Sequence, residues 1–169
     1  AWVGGRSFRW MPYDHVLSKR QAASTFKPIV YAAALEHGME PCEMQEAERR
    51  VYDQYNNWAP RNYNDDYQGM YSMAGALKNS VNTVAVKTLL EVGLRQVIDF
   101  AQQMGISSEL PRKPSLALGS GELSLKEITT AYAVFANGGM LPTPYLIEEI
   151  RTKSGQLVYQ HKQEPKPQV

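Results

Sequence analysis

The chain has 169 residues, of which 43% are hydrophobic and 21% charged. That length and balance support one domain with a buried core and exclude disorder as the default state. A formal net charge of +1 gives no electrostatic reason to expect nucleic acid or an anionic membrane surface as a partner.

In chain order, residues 1–10 hold Trp2-Val3-Gly4-Gly5 and Phe8-Arg9-Trp10, which read as a short extended strand with a glycine break. No secretory leader is visible there, so any export or anchoring segment is expected outside the chain. The segment 20–38 reads as a helix over 24–36, stopped by Gly38. Pro28 fits only in a first turn, which puts Ser24 near the N-terminus. The run Ile29-Val30-Tyr31-Ala32-Ala33-Ala34-Leu35 is apolar on almost every side, so this helix is expected to be central and buried. It is also the longest apolar stretch and far too short to span a bilayer.

Residues 39–73 read as a long ordered loop, with Tyr52, Tyr55, Trp58, Tyr63, Tyr67 and Tyr71 spaced among asparagines, aspartates, Pro60 and Gly69. Cys42, the sole cysteine, excludes an internal disulfide and a cysteine-based metal site; with no base near it in sequence, it is expected to be buried or inert. Residues 74–140 form a helical lobe. Helical patterns cover 73–78, then 82–91 up to Gly93, then 94–104 up to Gly105. After a loop at 115–121, Ser124 with Glu127 three residues on reads as a capped N-terminus for a helix running to Asn137. Residues 145–160 read as two strands, 145–150 and 156–160, joined at Ser154-Gly155, and 161–169 as a linker.

Ser24 and Lys27 carry the chemistry. Three residues apart at a helix start, they put a hydroxyl and an amine on one face, one turn apart. A serine hydroxyl needs a base to become a nucleophile, and a lysine whose amine burial keeps neutral can be that base. The helix N-terminus adds a positive field for developing negative charge. A capping serine followed by an exposed lysine is the duller reading of the same spacing. Ser80-Val81-Asn82 reads equally as a helix cap or as a second hydroxyl and an amide for the same cleft. Gly119-x-Gly121 lacks the spacing of a nucleotide loop. His15, His37 and His161 are scattered without ligand spacing, so no metal or cofactor is expected. Asp65-Asp66 read as a solvated turn rather than a glycosidase pair.

Taken together the segments resemble the transpeptidase domain of bifunctional, class A penicillin-binding proteins, whose superfamily signature includes Ser-x-x-Lys, a Ser-x-Asn-type triplet and Lys-Thr-Gly. The resemblance rests on Gly4-Gly5 with Phe8, on Arg20-Gln21-x-x-Ser24-x-Phe26-Lys27-Pro28, and on Trp58-x-Pro60-x-Asn62-Tyr63 with Gly69. It continues through Ala76-Leu77-x-x-Ser80-x-Asn82, Ser115-Leu116-Ala117-Leu118-Gly119 and Ala131-Tyr132-Ala133-x-Phe135-Ala136-Asn137-Gly138-Gly139. Two departures stand out. Ala22-Ala23 replace the family's usual Pro-Gly, and no Lys-Thr-Gly follows Asn82, so the chain reads as a fragment that stops before that strand.

The resemblance implies an α+β, β-lactamase/penicillin-binding-protein transpeptidase-like fold, mostly the helical lobe with a few flanking strands. It implies peptidoglycan D,D-transpeptidation in a parent that is membrane-anchored, extracytoplasmic and also a glycosyltransferase. Ser24 would attack the penultimate D-Ala carbonyl of a D-Ala-D-Ala stem peptide, and Lys27 would take its proton. Ser80 would relay a proton to the leaving amine, and Asn82 would bind the substrate amide. β-Lactams would acylate Ser24. The isolated fragment is expected to acylate slowly or not at all, and a bare sheet edge leaves homodimerisation open. The alternatives are a non-catalytic β-lactam sensor or scaffold, a D,D-carboxypeptidase, or a β-lactamase.

Overall fold

The computed structural model describes residues 2–162 and 168–169. Its centre is helical. A short strand β1 (Lys19–Gln21) runs into a 3-10 turn (Ala23–Phe26) and then helix α1 (Lys27–Glu36). Pro28 sits in the first turn of α1, where its missing N–H costs nothing. Ile29, Val30, Tyr31, Ala33 and Ala34 are all buried, as an all-round apolar helix requires.

Helices α2 (Met73–Lys78), α3 (Asn82–Val92) and α4 (Leu94–Gln103) follow, and α5 is Leu125–Ala136. α1 packs against α3 and α4. The shared core holds Phe26, Ile29, Val84, Val86, Leu89, Val97, Met104 and Leu116. α5 opens with the expected capping box between Ser124 and Glu127. The loop expected at 115–121 is a 3-10 turn (Pro114–Leu118) ending at Gly119.

The described strands form three separate antiparallel pairs. β1 pairs with β4 (Glu122–Ser124), Arg20 opposite Leu123. β5 (Glu149–Arg151) and β6 (Leu157–Gln160) form the hairpin expected at 145–160, shorter than the sequence suggests. The third pair, β2 (Met44–Glu46) with β3 (Met70–Ser72), lies inside 39–73, so that region is a laddered excursion rather than a plain loop.

Two further expectations change. Residues 2–18 make turns rather than a strand over 1–10. Among the described residues that stretch has no strand to pair with, and it closes instead on Asp14. Asp14 accepts Trp2 Nε1–H at 2.7 Å and the Val16 N–H at 2.8 Å. Of the proposed 161–169 linker, 163–167 lie outside the described residues. Gln168 pairs with Met140, and the Val169 N–H donates to Gly139 O at 2.9 Å.

Candidate active site

Ser24 is delivered by the β1–β4 ladder. Past Gln21 the ladder continues irregularly: the Ala22 N–H donates to Gly121 O and the Ala23 N–H to Gly119 O, both at 3.0 Å. Ala23 then takes a left-handed φ of 49°, which swings the chain into the 3-10 turn. A Cβ on Gly119 would fall 2.0 Å from Ala23 O, so only glycine allows this approach. The two glycines that do not make a nucleotide loop therefore clamp the segment before Ser24. From the other side, Tyr132 Oη–H donates to Thr25 O at 2.9 Å.

Ser80 sits in a glycine's place. α2 ends in a Schellman motif, with the Ser80 N–H on Leu77 O (3.0 Å) and the Val81 N–H on Ala76 O (2.9 Å). The residue between cap and exit must turn left-handed, and Ser80 does so at φ 54°. An L-residue other than glycine pays about 1–2 kcal/mol for that conformation. Such strain is tolerated where the surrounding structure over-determines it, commonly at functional sites. Here it presents a hydroxyl at the site, where glycine would leave none. Two residues on, Asn82 opens α3.

Lys27 joins these segments. It is 1% exposed. Its Nζ donates to Ser80 O at 2.7 Å, Ser80 Oγ at 2.8 Å and Asn82 Oδ1 at 2.6 Å. Those three acceptors use all three N–H bonds of an ammonium. Burial works against the charge and pushes the amine from 10.5 down to about 8. Ser80 Oγ–H in turn donates to Ser24 Oγ at 3.2 Å.

The structure thus brings Ser24, Lys27, Ser80 and Asn82 together, with Ser24 and Ser80 open to solvent and Lys27 beneath them. One expected contact differs. Among the described residues no hydrogen bond joins Ser24 to Lys27 directly; the Ser80 hydroxyl lies between them. α1 starts at Lys27, so the 3-10 geometry of the preceding turn carries Ser24 off the straight helical line to the amine.

Asn62 and Arg61 also reach the site, although sequence reading gave neither a role. Asn62 Oδ1 accepts the backbone N–H of Asn82, and Arg61 O accepts Asn82 Nδ2–H. The only signal was Asn62's membership of the Trp58-x-Pro60-x-Asn62-Tyr63 block. Other candidates fall elsewhere. Asp65 accepts Tyr67 Oη–H and Asp66 accepts the Gln68 N–H, a turn as expected. Cys42 is exposed, not buried. Lys153-Ser154-Gly155, which comes near the spelling of the third signature element, is the exposed turn of the β5–β6 hairpin, where Thr152 and Ser154 hydroxyls pair locally at 2.8 Å. A groove of about 950 Å³ between α5 and that hairpin is lined by Leu125, Tyr145, Ile147 and Tyr159 and contains none of the four site residues.

Comparison with known proteins gives one answer. A family described as the penicillin binding protein transpeptidase domain matches residues 11–169. Penicillin-binding protein 1A of Pseudomonas aeruginosa is 37% identical over 163 residues, covering 94% of this chain and 20% of that protein. Penicillin-binding protein 2D of Bacillus subtilis is 36% identical over 172 residues, covering 96% of this chain and 25% of that one. The chain therefore spans only a fifth to a quarter of these relatives' length. The solved structure of penicillin-binding protein 1A from Haemophilus influenzae superposes with a TM-score of 0.87 at 30% identity, over 97% of this chain and 25% of that one. PonA1 of Mycobacterium tuberculosis shares the fold with a TM-score of 0.80 at 24% identity, over 93% of this chain and 44% of that one. On this match the α+β arrangement around α1 and α3 is that of a transpeptidase domain, and the chain belongs to the penicillin-binding protein transpeptidase family, in its class A branch.

Proposed function

We propose that the protein carrying this chain is a serine peptidoglycan D,D-transpeptidase and that this chain supplies the nucleophile, its base and a relay. Ser24 Oγ attacks the penultimate D-Ala carbonyl of a stem peptide. When Lys27 is neutral, two N–H groups serve Ser80 O and Asn82 Oδ1 and the lone pair faces Ser80 Oγ, whose hydroxyl turns to it. The Ser24 proton then passes to Ser80 Oγ while Ser80 gives its own to Lys27. The C–N bond of the substrate then breaks, and the proton returns from Lys27 through Ser80 to the departing D-alanine nitrogen. That leaves an ester on Ser24, which the amine of a second stem peptide takes over. Asn82 holds Lys27 by its oxygen and lies beside the path of the substrate amide.

A single observation carries the reading. Lys27 is buried, has an amine pushed down to about 8, and among the described residues is linked to Ser24 by hydrogen bonds through Ser80, at 2.8 Å and 3.2 Å. A lysine kept for structure has no need of a hydroxyl between it and an exposed serine. A β-lactam, whose strained amide mimics the scissile bond, would acylate the same oxygen, in keeping with the family's description as penicillin-binding. The location follows the substrate: outside the cytoplasm, held by a segment beyond this chain, with a glycosyltransferase elsewhere in the same protein. No helix among the described residues is long and apolar enough to cross a membrane.

A fluorescent penicillin tests this in the whole protein. Peptide mass mapping should find the adduct on Ser24, and Ser24→Ala should abolish it. An adduct on another residue, or labelling that survives Ser24→Ala, overturns the reading.

A further inference from the structure

Helix α3 has no cap of its own, because Val81 precedes it and offers no side-chain acceptor. Asn62, 20 residues earlier, fills that place. Its Oδ1 accepts the N–H of Asn82 at 2.9 Å and of Thr83 at 3.0 Å. Its Nδ2 donates to Asp66 O at 2.8 Å and to Thr83 Oγ1 at 3.3 Å, which fixes which way round the amide faces. The adjoining carbonyl, Arg61 O, accepts Asn82 Nδ2–H at 2.6 Å. The Asn82 amide is thereby held by its nitrogen, and its oxygen is turned to Lys27 Nζ at 2.6 Å.

We propose that Asn62 is a positioning residue for acyl transfer: through the Asn82 backbone and the neighbouring Arg61 carbonyl, it holds the Asn82 amide in the orientation that aims its oxygen at Lys27. The inference rests on the reading of Ser24 and Lys27 given above. A cap serves helix stability and could be any acceptor. Asn62 grips the N–H of the very residue whose side chain touches the base, while the peptide next to it grips that side chain. Without the grip, Asn82 is free to rotate and swap oxygen for nitrogen, which would point a donor at a donor.

The dependence of acylation on penicillin concentration, measured in the whole protein, separates reversible binding from the limiting acylation rate. Asn62→Ala should lower the limiting rate about tenfold to a hundredfold, the scale of a small misplacement of reacting groups. The fraction finally labelled should be unchanged. Asn62→Asp keeps an oxygen for both N–H groups but sets its second oxygen against Asp66 O, and should recover part of the rate. Ser124→Ala removes a cap of similar worth from α5 and should leave the rate at the parental value. A parental limiting rate in Asn62→Ala overturns the role. So does an Asn62→Asp as slow as Asn62→Ala, or an equal slowing in Ser124→Ala. If Asn62→Ala does not fold, Asn62→Gln replaces it, its oxygen displaced by one methylene, and is expected to be slower than Asn62→Asp. A parent with no Ser24 adduct overturns the functional reading itself, and the role of Asn62 with it.

Discussion

The polar cluster around Lys27 and the β5–β6 hairpin are built in opposite ways. The hydrogen bonds that join Lys27 and Ser24 to Ser80 and Asn82 span 53 to 56 positions. The side-chain hydrogen bonds of the hairpin, between Arg151 and Glu149, Thr152 and Ser154, and Gln156 and Thr152, join residues 2 to 4 apart. Lys27 lies in the core, whereas every strand residue of the hairpin is exposed. Where polar groups meet across the chain, their geometry is a product of the packed helices, and a disturbance of the core is a disturbance of the site. Where they meet locally, the turn is set by its own residues.

The sharpest way to break that contrast is at Lys27. Lys27→Met should lower penicillin acylation by about 10²–10⁴-fold, the usual worth of a general base, whereas Lys153→Met in the hairpin turn should leave it unchanged. On the proposed mechanism only the neutral amine acts, so the acylation rate should climb with pH through about 8 and level off above. The same shift acts on stability. Between about 8 and 10.5 the folded chain binds fewer protons than the unfolded chain, so stability should rise with pH across that window. A flat acylation profile from pH 6 to 10 would remove Lys27 from the base's role.

Core and hairpin should also part in stability. Leu89 in α3 is fully buried, and Leu89→Ala should cost about 2–5 kcal/mol. Val158 in β6 is 64% exposed, and Val158→Ala should stay within about 0.5 kcal/mol. Urea unfolding of the chain reads both. Equal costs would mean that the hairpin is part of the cooperative core.

The same division marks what the sequence makes legible. Local signals place the helices well. Gly93 and the Ser124–Glu127 pair predict boundaries within a residue or so of those observed for α3 and α5. The β2–β3 ladder is invisible because its strands are three residues long, too short for alternation to register, and Met44 finds Ser72 only once the excursion has closed. Aromatics and paired glycines at 2–10 suggest a strand, but a strand exists only with a partner. At the site, residue type and spacing announce Ser24 and Lys27, and a family pattern adds Ser80 and Asn82. Their arrangement needed coordinates. A Schellman exit normally announces itself by glycine, and Ser80 hides it. Asn62 caps a helix it does not adjoin in sequence.

Glu127 offers a smaller test, away from the cluster. Burial alone would raise its pKa, but it accepts six hydrogen bonds from the N–H and O–H groups of Ser124, Ser107 and Ser108. These outweigh burial and hold it at about 2. A carboxylate held below its unfolded value of 4.5 contributes stability above that pH and loses it as pH falls towards 2. Glu127→Gln should cost about 1–2 kcal/mol at neutral pH, allowing for its partial exposure, and should flatten thermal stability between pH 5 and 2. A variant as acid-sensitive as the parent would shift the acid response to other carboxylates.

The two left-handed residues beside the nucleophile give the smallest effect and the cleanest separation of strain from function. Ala23 at φ 49° and Ser80 at φ 54° both occupy conformations suited to glycine. Glycine at either position relieves strain in the fold but loosens the unfolded chain, and where nothing else is lost, as at Ala23, the substitution should stabilise by about 1 kcal/mol net. Ala23 brings only a methyl group, so Ala23→Gly should raise the unfolding midpoint and leave acylation intact. Ser80 brings the hydroxyl between Lys27 and Ser24 and an acceptor for the buried amine, so Ser80→Gly should leave the midpoint below that of Ala23→Gly while acylation collapses. If Ser80→Gly acylates at the parental rate, the strain at position 80 serves the helix exit alone, and the proton must reach Lys27 by another route.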